Sequence, residues 1–267
     1  MTMEKFEQEF KRKKPIFTKG RILKNEMLEL LRDFPRNITD IFLATNSDGV
    51  ISGLDLQVDK TDIAITPGIV KYQGEILTLG SELKVPYVAD GSVQILKLQF
   101  QERYETKDFA GQDVRVILES GGCNQNEMEV ARFRLSQGAY LRSDYQDFED
   151  FKTGHNTLNI VNQPYSSISG QTLSPAILKY FARELLKYRT ENPHDLAIIY
   201  QVLNSEISIS KELLINYIMS RLKESIESKL ENNEDLHKGL TQVLKKAKLE
   251  DRGGRRTISG NRRLIVD

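Results

Sequence analysis

Two clusters of fixed positive charge are the first candidates for chemistry. Lys11, Arg12, Lys13 and Lys14 follow one another near the start of the chain. Arg252, Arg255, Arg256, Arg262 and Arg263 crowd its last seventeen residues, with only Asp251 and Asp267 to offset them. Such charge neutralises phosphate or seats in an acidic groove, so both runs are candidate partner-binding sites. Glycine-spaced arginines can follow a nucleic-acid backbone, but the C-terminal run lacks the aromatic residues on which bases stack. The acidic run Asp144, Asp147, Glu149 and Asp150, set among Tyr145, Phe148 and Phe151, is the other candidate. Its carboxylates could ligate calcium or act as a glycosidase pair, yet the EF-hand order of ligands, central glycine and terminal glutamate is missing. A solvated connector accounts for the same residues.

Phosphate-loop, dinucleotide, H-E-x-x-H and G-x-S-x-G patterns are all absent. His155, His194 and His237 stand apart from one another in sequence. Ser167 and Ser169 precede Gly170 without the strand-to-helix setting of a nucleophile elbow. Cys123, after Gly121-Gly122, has no basic neighbour in sequence to lower its pKa, and a single cysteine excludes an internal disulfide or multi-cysteine zinc site. No catalytic, cofactor-binding or metal-ligating residue is therefore assigned, no cofactor is expected, and the chain is read as a non-enzyme.

The 267 residues carry 38 Lys+Arg against 38 Asp+Glu. This balance argues against a globally basic nucleic-acid binder, and no apolar run approaches the ~20 residues of a membrane span. Residues 1–20 read as an extended arm with too few apolar side chains for a core. Ile22, Leu23, Met27, Leu30 and Leu31 predict a short helix within 21–45, ended by Pro35. From residue 46 the period falls to two: Leu54, Leu56 and Val58, then Ile63 and Ile65, alternate with polar residues. Pro67-Gly68 reads as a type II turn, and Gly74 as a second turn closing a hairpin. Val93–Phe100 is the clearest strand, with Lys97 and Gln99 on the face opposite Leu96 and Leu98. Val114–Leu118 and Glu129–Leu135 follow, and Leu158–Val161 could close the sheet or cross over it. An antiparallel sandwich or barrel over 46–165 is expected.

Helical signals return over 166–250. Ser174-Pro175 and Asn192-Pro193 each place proline just after a cap. Leu196, Ile199, Tyr200 and Leu203 then form a stripe. Ser210 can cap a long helix carrying Leu214, Ile218, Leu222, Ile226 and Leu230, and a fourth helix covers Asp235–Leu249. Residues 251–267 read as a basic tail. The fold class is α+β: arm and short helix, antiparallel β domain, helical module.

The stretch Gly49-Val50-Ile51-Ser52-Gly53-Leu54, followed by Thr66-Pro67-Gly68 and Gly74, resembles a β module of bacteriophage tails, found in baseplate-periphery and tail-fibre connector proteins and in contractile tailocins. The resemblance implies a structural role, with baseplate proteins and a tail-fibre or receptor-binding protein as partners. It also implies a homo-oligomer, a trimer by analogy with fibre symmetry, made in the cytoplasm and assembled into a virion or tailocin particle. Neither nucleic acid nor membrane is an expected partner. Two other readings stay open: a nucleic-acid-binding module acting through the arginine tail, and a carbohydrate-binding protein or hydrolase using the acidic-aromatic run.

Overall fold

The structure, a computed structural model, describes residues 13–188, 190–223 and 230–258. It falls into two units, Met1–Thr45 and Asn46–Asp267. The first holds helix α1, Asn25–Phe42, which contains Pro35 and buries none of its residues. The expected stop at Pro35 is thus corrected. Proline forfeits a single backbone bond, the apolar residues keep their helical phase on both sides, and Thr39 Oγ1 donates to the Pro35 carbonyl at 2.9 Å.

The second unit contains, among its described residues, three three-stranded antiparallel sheets. In the first, β1 (Gly49–Gly53), β4 (Gly68–Tyr72) and β5 (Glu75–Leu79) lie in the order β1-β4-β5. In the second, β2 (Leu56–Val58), β3 (Asp62–Ile65) and β6 (Leu83–Pro86) lie in the order β2-β3-β6. In the third, β7 (Val93–Glu105) is flanked by β8 (Ala110–Glu119) and β9 (Glu127–Arg134). The α+β class holds, with antiparallel strands gathered into three small sheets. The β4–β5 hairpin closes at Tyr72↔Glu75 through Gln73 and Gly74, both with positive φ (48° and 81°), as a two-residue type I′ turn requires.

Pro67-Gly68 is not the expected type II turn. Gly68 opens β4 directly opposite Gly53 of β1, and it lies outside the positive-φ residues. Both β1→β2 and β3→β4 leave one sheet and enter another here, so two chain segments cross. Thr66 N–H donates to the Asp55 carbonyl and Asp55 N–H to Thr66 Oγ1, each at 3.0 Å. A Cβ on Gly53 would lie 2.1 Å from the Pro67 carbonyl oxygen, and one on Gly68 2.6 Å from Leu54 N. Glycine is needed at Gly68 for close approach, not for turning.

Strand β7 runs past the expected end at Phe100, because Arg103–Glu105 pair with Ala110–Gln112 beyond a bulge. As the central strand it buries both faces. Lys97, expected on a polar face, is 1% exposed, with Nζ bound to Glu119 (2.9 Å), Glu127 (3.1 Å) and the Gly122 carbonyl (2.6 Å). Residues 158–161 form no strand; Asn159 makes a single bridge to Arg132 of β9.

Four helices follow: α2 (Pro175–Leu186), α3 (Pro193–Leu203), α4 (Lys211–Leu222) and α5 (Asn233–Ile258). The predicted caps Ser174 and Asn192 accept from Ile177 N and His194 N. Ser210 occupies the cap position of α4 without a side-chain cap bond. Ser167 and Ser169 supply it instead, accepting from Lys211 N and Glu212 N, both at 3.3 Å. The long helix expected through Leu230 stops at Leu222, because Lys223 turns into the left-handed region at φ 55°; Ile226 lies outside the described residues. Helix α5 extends beyond the expected Asp235–Leu249. Its Gly239 lies against Ile218, where a Cβ would meet Cγ2 at 2.9 Å, so α5 packs closely on α4. One apolar core runs from Val50 through Phe133 and Phe181 to Ala247, shared by sheets and helices.

Candidate interaction surfaces

Of the residues expected to bind partners, Lys13 and Lys14 are exposed, and Lys13 Nζ pairs with Glu26 of α1 at 3.0 Å. Arg252, Arg255 and Arg256 lie on the backbone of α5. Lys11, Arg12, Arg262 and Arg263 lie outside the described residues.

Three of the four acidic residues of the run, Asp147, Glu149 and Asp150, are engaged internally. Arg142 grips Asp150 with both terminal nitrogens at 2.8 Å, and Gln146 N–H donates to the same carboxylate. These bonds, led by those from Arg142, hold the Asp150 carboxyl below the usual carboxylate range. Asp147 accepts from the Asp150 N–H at 2.9 Å, and Glu149 pairs with Lys245 at 2.6 Å. Phe148 and Phe151 are core residues, 4% and 2% exposed, and offer no open face for a sugar ring. Among the described residues no cluster of three or more His, Cys, Asp or Glu side chains could hold a metal ion. Cys123 is exposed, and partial burial of its sulfur, then Glu129, raises its thiol pKa, the opposite of what a nucleophile needs. Ser167 and Ser169 are occupied with the start of α4.

His155 and His194 are exposed, whereas His237 on α5 is buried, stacked on Phe148 with centroids 4.5 Å apart. Its Nε2 lies 2.9 Å from the Phe148 carbonyl. Burial, with a smaller contribution from Lys152, pushes its pKa from 6.5 to about 4; the Phe148 carbonyl, Glu149 and Glu234 oppose that shift. A base depressed in the fold keeps its full stabilising contribution above its unfolded pKa and loses it as pH falls toward the folded value. Between pH 7 and pH 5 this residue should therefore cost the protein about 2 kcal/mol. Urea melts should show that loss in the wild type and a flatter dependence in His237→Gln. Equal slopes in the two proteins would show that other groups carry the acid sensitivity.

The helical module also leaves apolar surface uncovered. Helix α3 is apolar on two faces. Ile198, Ile199 and Val202 are buried, whereas Leu196 (37%), Tyr200 (70%) and Leu203 (38%) face outward, continued by Ile207 (64%). Of Leu196, Ile199, Tyr200 and Leu203, the apolar positions read from the sequence, only Ile199 is buried. A cavity of about 830 Å³ near the β4–β5 hairpin is lined by Tyr72, Gln73, Phe100, Arg103, Gln112 and Asn126 among others. Its amides and stacked rings (Tyr72 on Phe100, 3.7 Å) form no nucleophile–base pair.

Neither a protein-family model nor a curated protein matches the chain. Several solved structures are similar to it, three of which follow. A crystal structure of TssK is 11% identical over 90% of this chain and 72% of its own, with a TM-score of 0.44. A chain of a type VI secretion system TssK-TssF-TssG baseplate subcomplex is 12% identical over 88% of this chain and all of its own, at 0.38. A chain of the type VI secretion baseplate complex is 12% identical over the same 88%, at 0.33.

A buried ion pair on the core side of α3 has no marker in the sequence. Asp195, fully buried in the first turn of α3, lies 2.8 Å from Arg221 Nε of α4, an ion pair in which that nitrogen makes no hydrogen bond, and accepts from Tyr217 Oη at 2.8 Å and Thr190 Oγ1 at 2.6 Å. Arg221 reaches on to Glu250 of α5 at 2.7 Å. Asp195 lies two residues after Pro193 in a helix first turn, where an acidic residue is ordinarily a surface feature, so no local signal marks it as buried.

Proposed function

We propose that this chain is a structural part of the baseplate of a phage-like contractile apparatus. It links baseplate proteins to a tail-fibre or receptor-binding protein and turns over no substrate. The observation that carries the reading is the apolar helix surface left open, above all the Leu196–Tyr200–Leu203 face of α3, because exposed aromatic and aliphatic side chains at helical spacing anchor partner subunits. The phage-module resemblance supports it: its two segments, 49–54 and 66–74, meet where Gly53 pairs with Gly68. The C-terminal helices carry one contact, and the N-terminal arm with α1 carries another.

The test is co-expression with the tail proteins encoded beside this chain, followed by affinity capture. At least one baseplate or fibre protein should be retained. Tyr200→Asp, an exposed change that leaves the fold intact, should weaken that capture by roughly 30-fold, as loss of an interface anchor does. Failure to capture any tail protein would overturn the proposal.

A further inference from the structure

The cavity of about 830 Å³ beside the β4–β5 hairpin owes its lining to an irregularity in β7. Gln101, Glu102 and Arg103 all border it, although they follow one another along the strand. A regular strand sends successive side chains to opposite faces, so three in a row do not share one cavity. The β7–β8 bulge removes that obstacle. Phe100 pairs with Val114 and Arg103 with Gln112, which leaves Gln101 and Glu102 together opposite Asp113 alone. Bulges of this kind re-aim side chains, and they recur beside functional sites.

The lining is polar, and its polar groups are held in place. Gln112 Nε2 donates to the Gln101 carbonyl at 2.9 Å, and Asn126 Nδ2 to the Phe100 carbonyl at 3.1 Å. Gln101 Nε2 donates to Gln99 Oε1 at 3.0 Å, and Gln73 Nε2 to Tyr72 Oη at 3.2 Å. Each of these lining amides thus commits an N–H to the protein, and that bond orients its carbonyl oxygen. Gln112 Oε1 is buried without a hydrogen-bond partner, an acceptor just beneath the lining whose loss of water nothing offsets. Charge in the lining cancels. Glu102 stands against Arg103, whose guanidinium is tied to the Gln73 carbonyl at 3.0 Å and to Glu75 at 3.5 Å. The rings of Tyr72 and Phe100 are 9% and 2% exposed and stack on each other, so little apolar surface faces the opening.

An apolar ligand finds no surface here, and a charged one meets a like charge as well as an opposite one. What matches the lining is an uncharged molecule that donates and accepts hydrogen bonds at several points. Sugar hydroxyls come several to a ring and each does both, which suits fixed amides converging on a small volume. The volume itself falls within the range of small-molecule sites. We infer that this cavity binds a short neutral oligosaccharide, held by the amides of Gln101, Gln112 and Asn126. A sugar hydroxyl donates to Gln112 Oε1 once the exposed Glu102 or Arg103 side chain moves aside. The site lies apart from the Asp144–Phe151 run, and it stands whether or not the chain belongs to a baseplate.

Saturation-transfer NMR on the full chain tests it, with maltotriose, cellotriose, triacetylchitotriose, mannotriose and lactose each at about 10 mM. At least one should bind with a Kd of about 1 mM or tighter. Gln112→Met, which keeps the side-chain length and removes the oxygen, should weaken that binding about tenfold, and Gln101→Ala by a similar factor. Gln57→Ala, a change to an exposed amide on β2, should bind as the wild type does. No binding of any of these sugars overturns the inference, as does binding that both cavity variants leave unchanged. Tighter binding of sialyllactose than of lactose would reveal an anion site and overturns it too. Should the cavity variants not fold, the side-chain amide signals of the isotope-labelled wild type decide. Those of Gln101, Gln112 and Asn126 should move as sugar is added, and movement confined to other residues overturns the inference.

Discussion

Gly53→Ala should leave residues 46–267 without a cooperative unfolding transition, or with one weakened by at least ~3 kcal/mol. Two costs combine. The residue sits at φ +69°, where a Cβ brings backbone strain, and that Cβ would lie 2.1 Å from the Pro67 carbonyl oxygen and 2.8 Å from Gly68 Cα. The obstruction is backbone on both counts, so no side chain can swing aside to relieve it. Neighbouring Leu54 is itself held at φ 56° while 2% exposed, and Tyr165 Oη and Gln163 Nε2 donate to the carbonyls of Gly53 and Leu54. The crossing is thus fixed from the core side as well and cannot drift apart to make room. Gly74 supplies the control. It has a similar φ of +81° but nothing within 4 Å of an added Cβ, so Gly74→Ala should cost only the conformational strain, about 1 kcal/mol. Chemical denaturation of the two variants separates close approach from backbone preference. A Gly53→Ala protein as stable as Gly74→Ala would show that the two strands are not crossed tightly. Gly68→Ala should behave like Gly53→Ala, and the double variant should cost less than the sum, because both changes open the same gap.

Local chemistry was legible and face assignment was not. The strands at Ile63–Ile65 and Val93–Phe100 and the caps at Ser174 and Asn192 rest on alternation and capping, which act over a few residues. The outcome at Pro35 depended on whether apolar phase persists beyond a proline, which the local rule for helix ends does not weigh. Lys97 looked like a surface lysine because it alternates with Leu96 and Leu98; only the pairing of β7 with both β8 and β9 brings Glu119 and Glu127 to its ammonium. Helix α3 is apolar on two sides, so periodicity alone does not decide which side is core. The core side also carries the buried Asp195–Arg221 pair, whose members are 26 residues apart on different helices. The candidate surfaces share this limit. The charged runs are visible in the sequence, whereas the open apolar face of α3 emerges only when the other face is seen to be buried.

Arg221→Met should destabilise the helical module by about 3–5 kcal/mol, the cost of leaving a buried charge without its partner. Asp195 is 0% exposed and Arg221 4%, so water cannot take the place of the lost guanidinium. Tyr217 and Thr190 hydroxyls would remain on the carboxylate, but neutral donors do not balance a full charge in a low-dielectric site. The Tyr217 hydroxyl already shows the cost of this environment: burial and then the Asp195 charge push its pKa well above the ordinary tyrosine value. Removing both charges should be far milder than removing one. Asp195→Asn combined with Arg221→Met should recover most of the loss, because the desolvation penalty disappears together with the attraction that offset it. A double-mutant cycle read by urea denaturation measures the coupling directly. The cycle also bears on the proposed partner surface, because Asp195 and Tyr200 share α3 and the pair is expected to hold the rotation that keeps Tyr200 outward. In Arg221→Met the partner captured through α3 should be held less tightly even at temperatures where the protein remains folded, and the double variant should regain part of that affinity. Additive effects of the two substitutions, or an Arg221→Met protein within 1 kcal/mol of wild type, would mean that packing of Ile198, Ile199 and Val202 alone sets which face of α3 points out.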